Sequence, residues 1–208
     1  MKQETLKDKA YHYIKSRILS CEYLPGTFLD EKKLIEEIKS SRTPIREALN
    51  KIEQENLIKI IPKKGVMITE LSLKNILDIY QLREIIEPAA ILKYGNLYPK
   101  EILEHFRDIF ASNISNTPEF YNADDDFHYF IIEPFKNAYI NNIMEEIRTQ
   151  SKRLRIVTGR IREYDLTSKE HLRIIDYILE EQYEQASVKM KEHIALARNN
   201  AIEYYANK

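Results

Sequence analysis

The sequence contains little glycine and cysteine and no long apolar run. Only four of its 208 residues are glycine, and strand-and-turn patterns are scarce, which indicates a mostly helical chain. A single cysteine, Cys21, excludes intrachain disulfides and favours a reducing compartment. No stretch approaches the roughly 18 apolar residues of a membrane span, and the first residues, MKQETLKDKAYHYIK, lack the apolar core of a signal peptide. These absences predict a cytoplasmic protein with no membrane partner.

Charge is divided unevenly along a chain whose net charge is only −1. Residues 1–70 carry 14 Lys and Arg against 11 Asp and Glu, a net charge of +3, whereas residues 71–208 carry 18 against 22, a net charge of −4. At this length the chain could form one large domain or two small ones. A slightly basic first region is compatible with a domain that faces nucleic acid.

A short amphipathic helix is predicted after the sequence KSS near residue 40. Pro44 suits the first turn of that helix, and Ser41 or Thr43 can cap it. Its apolar face is formed by residues at positions i, i+3, i+4 and i+7. These residues are Ile45, Ala48, Leu49 and Ile52.

The surrounding elements predict a winged helix-turn-helix in residues 1–70. A first helix covers residues 6–20, Asp30 caps a second, and the helix described above is the third. Residues 57–69 then read as strand, turn and strand, with the turn at Pro62-Lys63-Lys64-Gly65. In such modules the second helix of the turn pair lies in the major groove of DNA.

Arg42, Arg46 and Asn50 lie four residues apart along one stripe of the third helix. An arginine fork can bind guanine bidentately, and Lys63 and Lys64 at the wing tip can contact phosphates. The residue types alone leave a second interpretation open. Two arginines are common on a solvated helix, and a basic hairpin tip can simply protect a sheet edge.

The N-terminal region resembles the DNA-binding domain of the GntR family of bacterial transcriptional regulators. The resemblance rests on Pro25-Gly26, on the run Ser-Arg-Thr-Pro-Ile-Arg-Glu-Ala-Leu at residues 41–49, and on the glycine-containing wing ending at Gly65. It implies that Arg42, Thr43, Arg46, Asn50, Lys63, Lys64 and Gly65 form the DNA-binding surface. Cys21 and Asn56 stand where the family often has glycine.

Residues 71–208 read as a second, all-α domain, an antiparallel helical bundle. Its helices are separated by breaks at Pro99, Pro118, Pro134, Gly159 and Gln182. The predicted helices cover residues 72–95, 99–114, 118–132, 135–158, 168–181 and 183–206.

Three histidines and one aspartate in this domain have spacings that suit a metal site. Asp124 and His128 are at i and i+4, so they share a helix face. His171 and His193 each lie 11 residues from the turn at Gln182, so a helical hairpin would place both at the same height, about 16 Å from the bend. Three imidazoles and a carboxylate suit zinc, nickel, cobalt or manganese. The alternative is that each histidine is an isolated surface or core residue.

The second domain resembles the FCD effector domain of the FadR branch, in its shorter, VanR-like form of six helices. The resemblance rests on Asp-x-x-x-His, a later Glu-His and a final histidine, which are Asp124, His128, His171 and His193 here. It implies a divalent metal that helps to hold a small carboxylate. Arg83 is the leading candidate for binding that carboxylate, with Arg153 and Arg155 weaker candidates. Alternatively, Arg83 pairs with Glu87 one turn further on.

These features together predict a homodimeric, effector-responsive transcriptional regulator, in its family usually a repressor. Two N-terminal domains would bind a pseudo-palindromic double-stranded DNA operator, and a small organic acid would alter that binding. The alternative from another class is a metal-dependent enzyme acting on small carboxylic acids. No general base or activated nucleophile is evident beside the four candidate ligands, so we expect a regulator rather than an enzyme.

Overall fold

The computed structural model describes residues 5–112, 118–157 and 164–206, and helices dominate them. These residues form two compact units. The N-terminal unit comprises the described residues up to Leu71 together with Thr149–Val157, and the C-terminal unit comprises Ser72–Arg148 and the described residues from 164 onward. The sequence-based division at residue 70 remains a prediction. In the described part of the chain, no helix is both long and apolar enough to traverse a bilayer.

The N-terminal unit is a three-helix core with a small antiparallel sheet, in the strand order β1-β3-β2. Its elements are α1 (Leu6–Leu19), β1 (Phe28–Leu29), α2 (Glu31–Ile38), α3 (Arg42–Gln54), β2 (Ile58–Ile61) and β3 (Gly65–Ile68). Strands β2 and β3 pair from Ile58 opposite Ile68 to Ile61 opposite Gly65, so the wing is a regular hairpin. This arrangement confirms the predicted winged helix-turn-helix.

The apolar face of α3 anchors it to the unit. Ile45, Ala48, Leu49 and Ile52 are all buried in the core formed with α1, α2 and the sheet. Burying each large aliphatic side chain of this kind contributes about 1.5–3 kcal/mol to the stability of the folded unit. Because this face is fixed inward, the polar stripe of α3 is fixed outward.

Local details of the N-terminal unit differ from the sequence predictions in two places. Ser41 is the N-cap residue of α3, but its side chain makes no capping hydrogen bond, and Thr43 already lies inside the helix. Strand β1 was not predicted, because a two-residue strand is too short to show a period. By contrast, the Asp30 carboxylate accepts hydrogen bonds from the amides of Lys32 and Lys33, which confirms its cap.

Cys21 and Asn56, noted above as standing in place of glycine, both have left-handed backbone. Cys21 has φ of 53° and Asn56 has φ of 57°, and each follows the end of a helix. Non-glycine residues adopt this conformation at a cost, which asparagine tolerates better than most.

The C-terminal unit is a bundle of α-helices, as predicted. Its core pairs α4 with α9, and α8 packs against both α9 and α5. The helices are α4 (Leu73–Tyr94), α5 (Lys100–Ala111), α6 (Pro118–Ile132), α7 (Ala138–Val157), α8 (Tyr164–Leu179) and α9 (Tyr183–Ala206), with short 3-10 helices at Gly95–Leu97 and Glu133–Phe135. Helix α8 begins earlier than the predicted residue 168, and the last residues of α7 belong to the N-terminal unit.

Candidate metal centre and nucleic-acid interface

The side chains of Asp124, His128, His171 and His193 converge in the C-terminal unit. One donor atom of each lies within 4.8 Å of the donor atoms of the other three. The Nε2 atoms of His171 and His193 are each 3.3 Å from Nε2 of His128, and Asp124 Oδ1 is 3.4 Å from His171 Nε2. The three histidines are buried, and the Asp124 side chain is 14% exposed.

Helix geometry places these donors together. Asp124 and His128 lie one turn apart on α6, which gives an Oδ1–Nε2 distance of 3.9 Å. Helices α8 and α9 fold back on each other around Glu180–Gln182, so the rings of His171 and His193 have centroids 4.5 Å apart. The predicted equal height of these two histidines is thus present in the structure.

Two carboxylates, the buried Glu87 and the partly exposed Glu170, fix the tautomers of two of the histidines. His128 Nδ1 is 2.6 Å from Glu87 Oε2, and His193 Nδ1 is 3.0 Å from Glu170 Oε2. An ionised carboxylate only accepts hydrogen bonds, so each Nδ1 carries the proton and donates it. In the neutral form of each ring, the Nε2 atom presents a lone pair to the centre of the cluster.

Burial keeps two of the candidate ligands, His171 and His193, in the neutral form that binds a cation. Burial and the neighbouring His193 lower the pKa of His171 well below its ordinary value, against the opposing charge of Asp124. Burial likewise lowers the pKa of His193, although its hydrogen bond to Glu170 acts in the opposite direction. Both rings are therefore neutral near pH 7.

The donor set fits a divalent metal ion. Metal–nitrogen bonds of about 2.0–2.1 Å imply donor separations of about 2.9–3.4 Å for octahedral or tetrahedral geometry. The separations of 3.3, 3.3 and 3.4 Å agree with that range, and the 3.9 Å separation needs only a small side-chain adjustment. The buried Nε2 lone pairs of His128 and His193 also point at one spot, where a hydrogen-bond donor or a cation can satisfy them. Nitrogen and carboxylate donors together suit zinc, nickel, cobalt or manganese.

Arg83 lies beside the cluster and is paired with Glu87. Its Nε donates to Glu87 Oε1 at 2.6 Å, so the alternative pairing considered for this arginine is present. Burial raises the pKa of Glu87, but the charges of Arg83 and His128 outweigh burial and lower it to about 2, so the carboxyl is ionised. Arg83 Nη2 is buried and has no hydrogen-bond partner among the described residues. A buried guanidinium nitrogen without an acceptor is a candidate position for an anion.

In the N-terminal unit, the predicted DNA-contacting residues of α3 face outward. Arg42, Thr43, Arg46 and Asn50 are all exposed. The Arg46 side chain is 69% exposed, and its nearest ion-pair partner is the Glu31 carboxylate at 3.8 Å. Such a long, exposed pair contributes little to stability, so the guanidinium can turn toward a phosphate or base.

The wing presents its predicted residues at the hairpin tip. Lys63 and Lys64 are exposed between β2 and β3. Lys63 has φ of 64° and Gly65 has φ of 109°, and the second value suits only glycine. Gly65 therefore shapes the tip that carries the two lysines.

The two units match two known domain families. Residues 6–68 match the bacterial regulatory proteins of the gntR family, and residues 78–196 match the FCD domain. The chain belongs to the GntR family and carries an FCD domain. It is a DNA-binding transcriptional regulator.

Relatives in this family agree with that assignment. The HTH-type transcriptional regulator YdhC of Bacillus subtilis is 26% identical over 93% of this chain and 88% of its own length. The gluconate operon transcriptional repressor of Bacillus licheniformis is 29% identical over 65% of this chain and 57% of its own length. A GntR transcriptional regulator from Rhodococcus sp. RHA1 has the same fold, with a TM-score of 0.81 at 16% identity and coverage of 95% of this chain and 97% of that one.

Sequence reasoning missed the contacts that Glu87 and Glu170 make with histidines. The only available signals were that Glu170 directly precedes His171 and that Glu87 follows Arg83 by one turn.

Arg153, a weaker effector candidate, is buried and donates to the Thr69 carbonyl at 2.6 Å within the N-terminal unit. The Arg155 side chain lies outside the described residues.

Proposed function

We propose that this regulator is a homodimeric repressor whose FCD domain binds a divalent metal and a small organic acid. The organic acid is the signal, and the metal is part of its binding site. Binding of both lowers the affinity of the N-terminal units for an operator. The protein acts in the cytoplasm.

The observation that supports this proposal most strongly is the donor cluster beside Arg83. Asp124, His128, His171 and His193 supply four donors within 4.8 Å, and Glu87 joins His128 to Arg83 through two contacts of 2.6 Å. A carboxylate bound there would have a cation on one side and the buried Arg83 Nη2 on another. The metal, when bound, supplies a Lewis-acidic coordination position for a carboxylate oxygen.

Two aromatic rings pack against His171 beside the donor cluster. Phe110 stacks on the His171 ring with centroids 4.5 Å apart, and Phe127 meets the same ring edge to face at 5.3 Å. These aromatic rings exclude water from one side of the cluster and strengthen its electrostatic interactions. An effector of this kind changes DNA affinity only as far as it prefers one conformation of the regulator over the other.

The experiment that tests this function follows DNA release. Operator DNA is first selected from a random library with the metal-free protein, and its binding is measured by fluorescence anisotropy over a range of salt concentrations. Adding Zn²⁺ with members of a panel of small organic acids should release the DNA, and His171→Ala should bind the DNA normally but not respond. Failure of every acid to weaken DNA binding by the metal-loaded protein would contradict the proposal.

The homodimer is supported by an uncovered apolar stripe on α4. The stripe follows a heptad spacing of three and four residues, which suits packing against another helix. The stripe residues, all exposed, are Leu82, Ile85, Ala89 and Leu92.

Substitution of the most exposed large residue in this stripe tests the dimer. Ile85 is 61% exposed, and Ile85→Arg would place a charge in the middle of the interface. Light scattering after size exclusion should show a dimer for the unchanged protein and a monomer for this variant. Val188→Arg is the matched control, because Val188 is 60% exposed but lies on α9 outside the stripe. A dimeric Ile85→Arg variant would mean that another surface joins the copies.

A further inference from the structure

One carboxylate, that of Glu87, bonds both to a candidate metal ligand and to the candidate anion-binding arginine. Its Oε2 accepts from His128 Nδ1 and its Oε1 accepts from Arg83 Nε, each at 2.6 Å. The Glu87 side chain is completely buried, and those of His128 and Arg83 are each 9% exposed. The three groups therefore interact without screening by bulk water.

The two partners of Glu87 compete for its negative charge. A cation on His128 Nε2 makes the Nδ1–H group of the same ring a stronger donor, so that ring draws more strongly on the carboxylate. Arg83 is then less fully neutralised, and its buried Nη2 becomes a better donor to an anion. An anion held by Arg83 partly neutralises that arginine, so more of the Glu87 charge is available to His128. The His128 ring then becomes a better metal ligand.

We propose that Glu87 couples the two parts of the site, so that metal and organic anion strengthen each other's binding through this residue. This inference rests on the proposed function of the cluster. It assigns to Glu87 a positioning and coupling role, since Glu87 acts through His128 and Arg83. Coupling of this kind is reciprocal, and its size is the same whichever ligand is added first.

Glu170 provides a matched comparison within the same site. It orients His193 as Glu87 orients His128, with a distance of 3.0 Å between Oε2 and Nδ1. Its second partner is Lys189 at 3.5 Å rather than Arg83. Glu170→Gln should therefore weaken metal binding without changing the coupling to an anion.

The experiment measures Zn²⁺ affinity by competition with a chromophoric chelator, with and without saturating acetate. Glu87→Gln and Glu170→Gln should each weaken Zn²⁺ binding by about 10- to 100-fold, because each loses a carboxylate that orients a histidine. Acetate should tighten Zn²⁺ binding by the same factor in the unchanged protein and in Glu170→Gln. That factor should be smaller in Glu87→Gln, because only direct coordination of acetate by the metal would then still couple the two ligands.

A second readout separates coupling from a merely structural role. In the metal-free protein, Glu87→Gln leaves Arg83 without its counter-charge, so acetate binding measured by NMR titration should become tighter than in the unchanged protein. Damage to the fold would weaken it instead. An unaltered acetate factor in Glu87→Gln, or weaker acetate binding without metal, would overturn the proposal.

A second variant and a negative control result complete the test. If Glu87→Gln does not fold, because it leaves a buried arginine unpaired, the double variant Arg83→Gln/Glu87→Gln removes both charges. It should bind Zn²⁺ about 10- to 100-fold more weakly than the unchanged protein, and normal binding would show that Glu87 does not orient His128. Absence of Zn²⁺ binding, or of any acetate effect, in the unchanged protein would instead contradict the proposed function.

Discussion

Removing His171 should abolish the stabilisation that a metal gives to the folded protein. Its ring is completely buried, stacks on Phe110 at 4.5 Å and directs Nε2 to within 3.3 Å of His128 Nε2. The unfolded chain does not hold the four donors together, so metal binds the folded state preferentially. His171→Ala deletes one donor and leaves the other three.

The size of the effect follows from binding linkage. Zn²⁺ at 100 times its Kd stabilises the folded protein by about 2.7 kcal/mol. For a chain of this size, about 1 kcal/mol shifts Tm by about 2–4 °C, so Zn²⁺ should raise Tm by about 5–11 °C. Removing a residue that only hydrogen-bonds to a metal ligand weakens metal binding by up to roughly 100-fold, and removing a direct ligand should weaken it at least as much. At the same Zn²⁺ concentration His171→Ala would then gain only about 0.4 kcal/mol, or about 1–2 °C.

The assay is differential scanning calorimetry in the presence of Zn²⁺ and in the presence of a chelator. The metal-dependent increment in Tm is compared, because the cavity left by His171→Ala lowers Tm in both conditions. His105→Ala is the control, since His105 is an exposed histidine on α5 of the same unit. An equal Zn²⁺ increment in His171→Ala and the unchanged protein would refute the assignment, as would loss of the increment in His105→Ala.

Three substitutions elsewhere test other features of the structure. Arg46→Ala should weaken binding to selected operator DNA by about 1–3 kcal/mol per contacted half-site in anisotropy titrations, whereas Arg107→Ala, on the exposed face of the C-terminal unit, should not. Gly95→Ala would place a Cβ against the ring of Tyr183 at Cδ1, so overpacking should destabilise the protein by about 1–3 kcal/mol in urea unfolding, and an unchanged midpoint would contradict this close packing. Lys39→Gly should stabilise by about 0.4–1 kcal/mol relative to Lys39→Ala, because Lys39 has φ of 53°, and equal stabilities would show that this backbone is unstrained.

Periodicity and turn residues were sufficient to predict most of the N-terminal unit. The apolar spacing of α3 fixes which side of that helix packs inward, so the outward direction of Arg42 and Arg46 followed from Ile45 and Leu49. The wing followed in the same way from alternation around Gly65. A two-residue strand such as β1 carries too few residues for any period, and its pairing depends on β3, far along the chain.

The sequence by itself determined the candidate ligands of the C-terminal unit, because helix spacing relates Asp124 to His128 and the α8–α9 hairpin relates His171 to His193. It also limited Arg83 to two partners, an effector or Glu87. Only the tertiary structure decided that Glu87 bonds to His128 as well as to Arg83. Residues on one helix or one hairpin have separations set by local geometry, whereas Glu87 on α4 and His128 on α6 are 41 positions apart and meet only when the bundle packs.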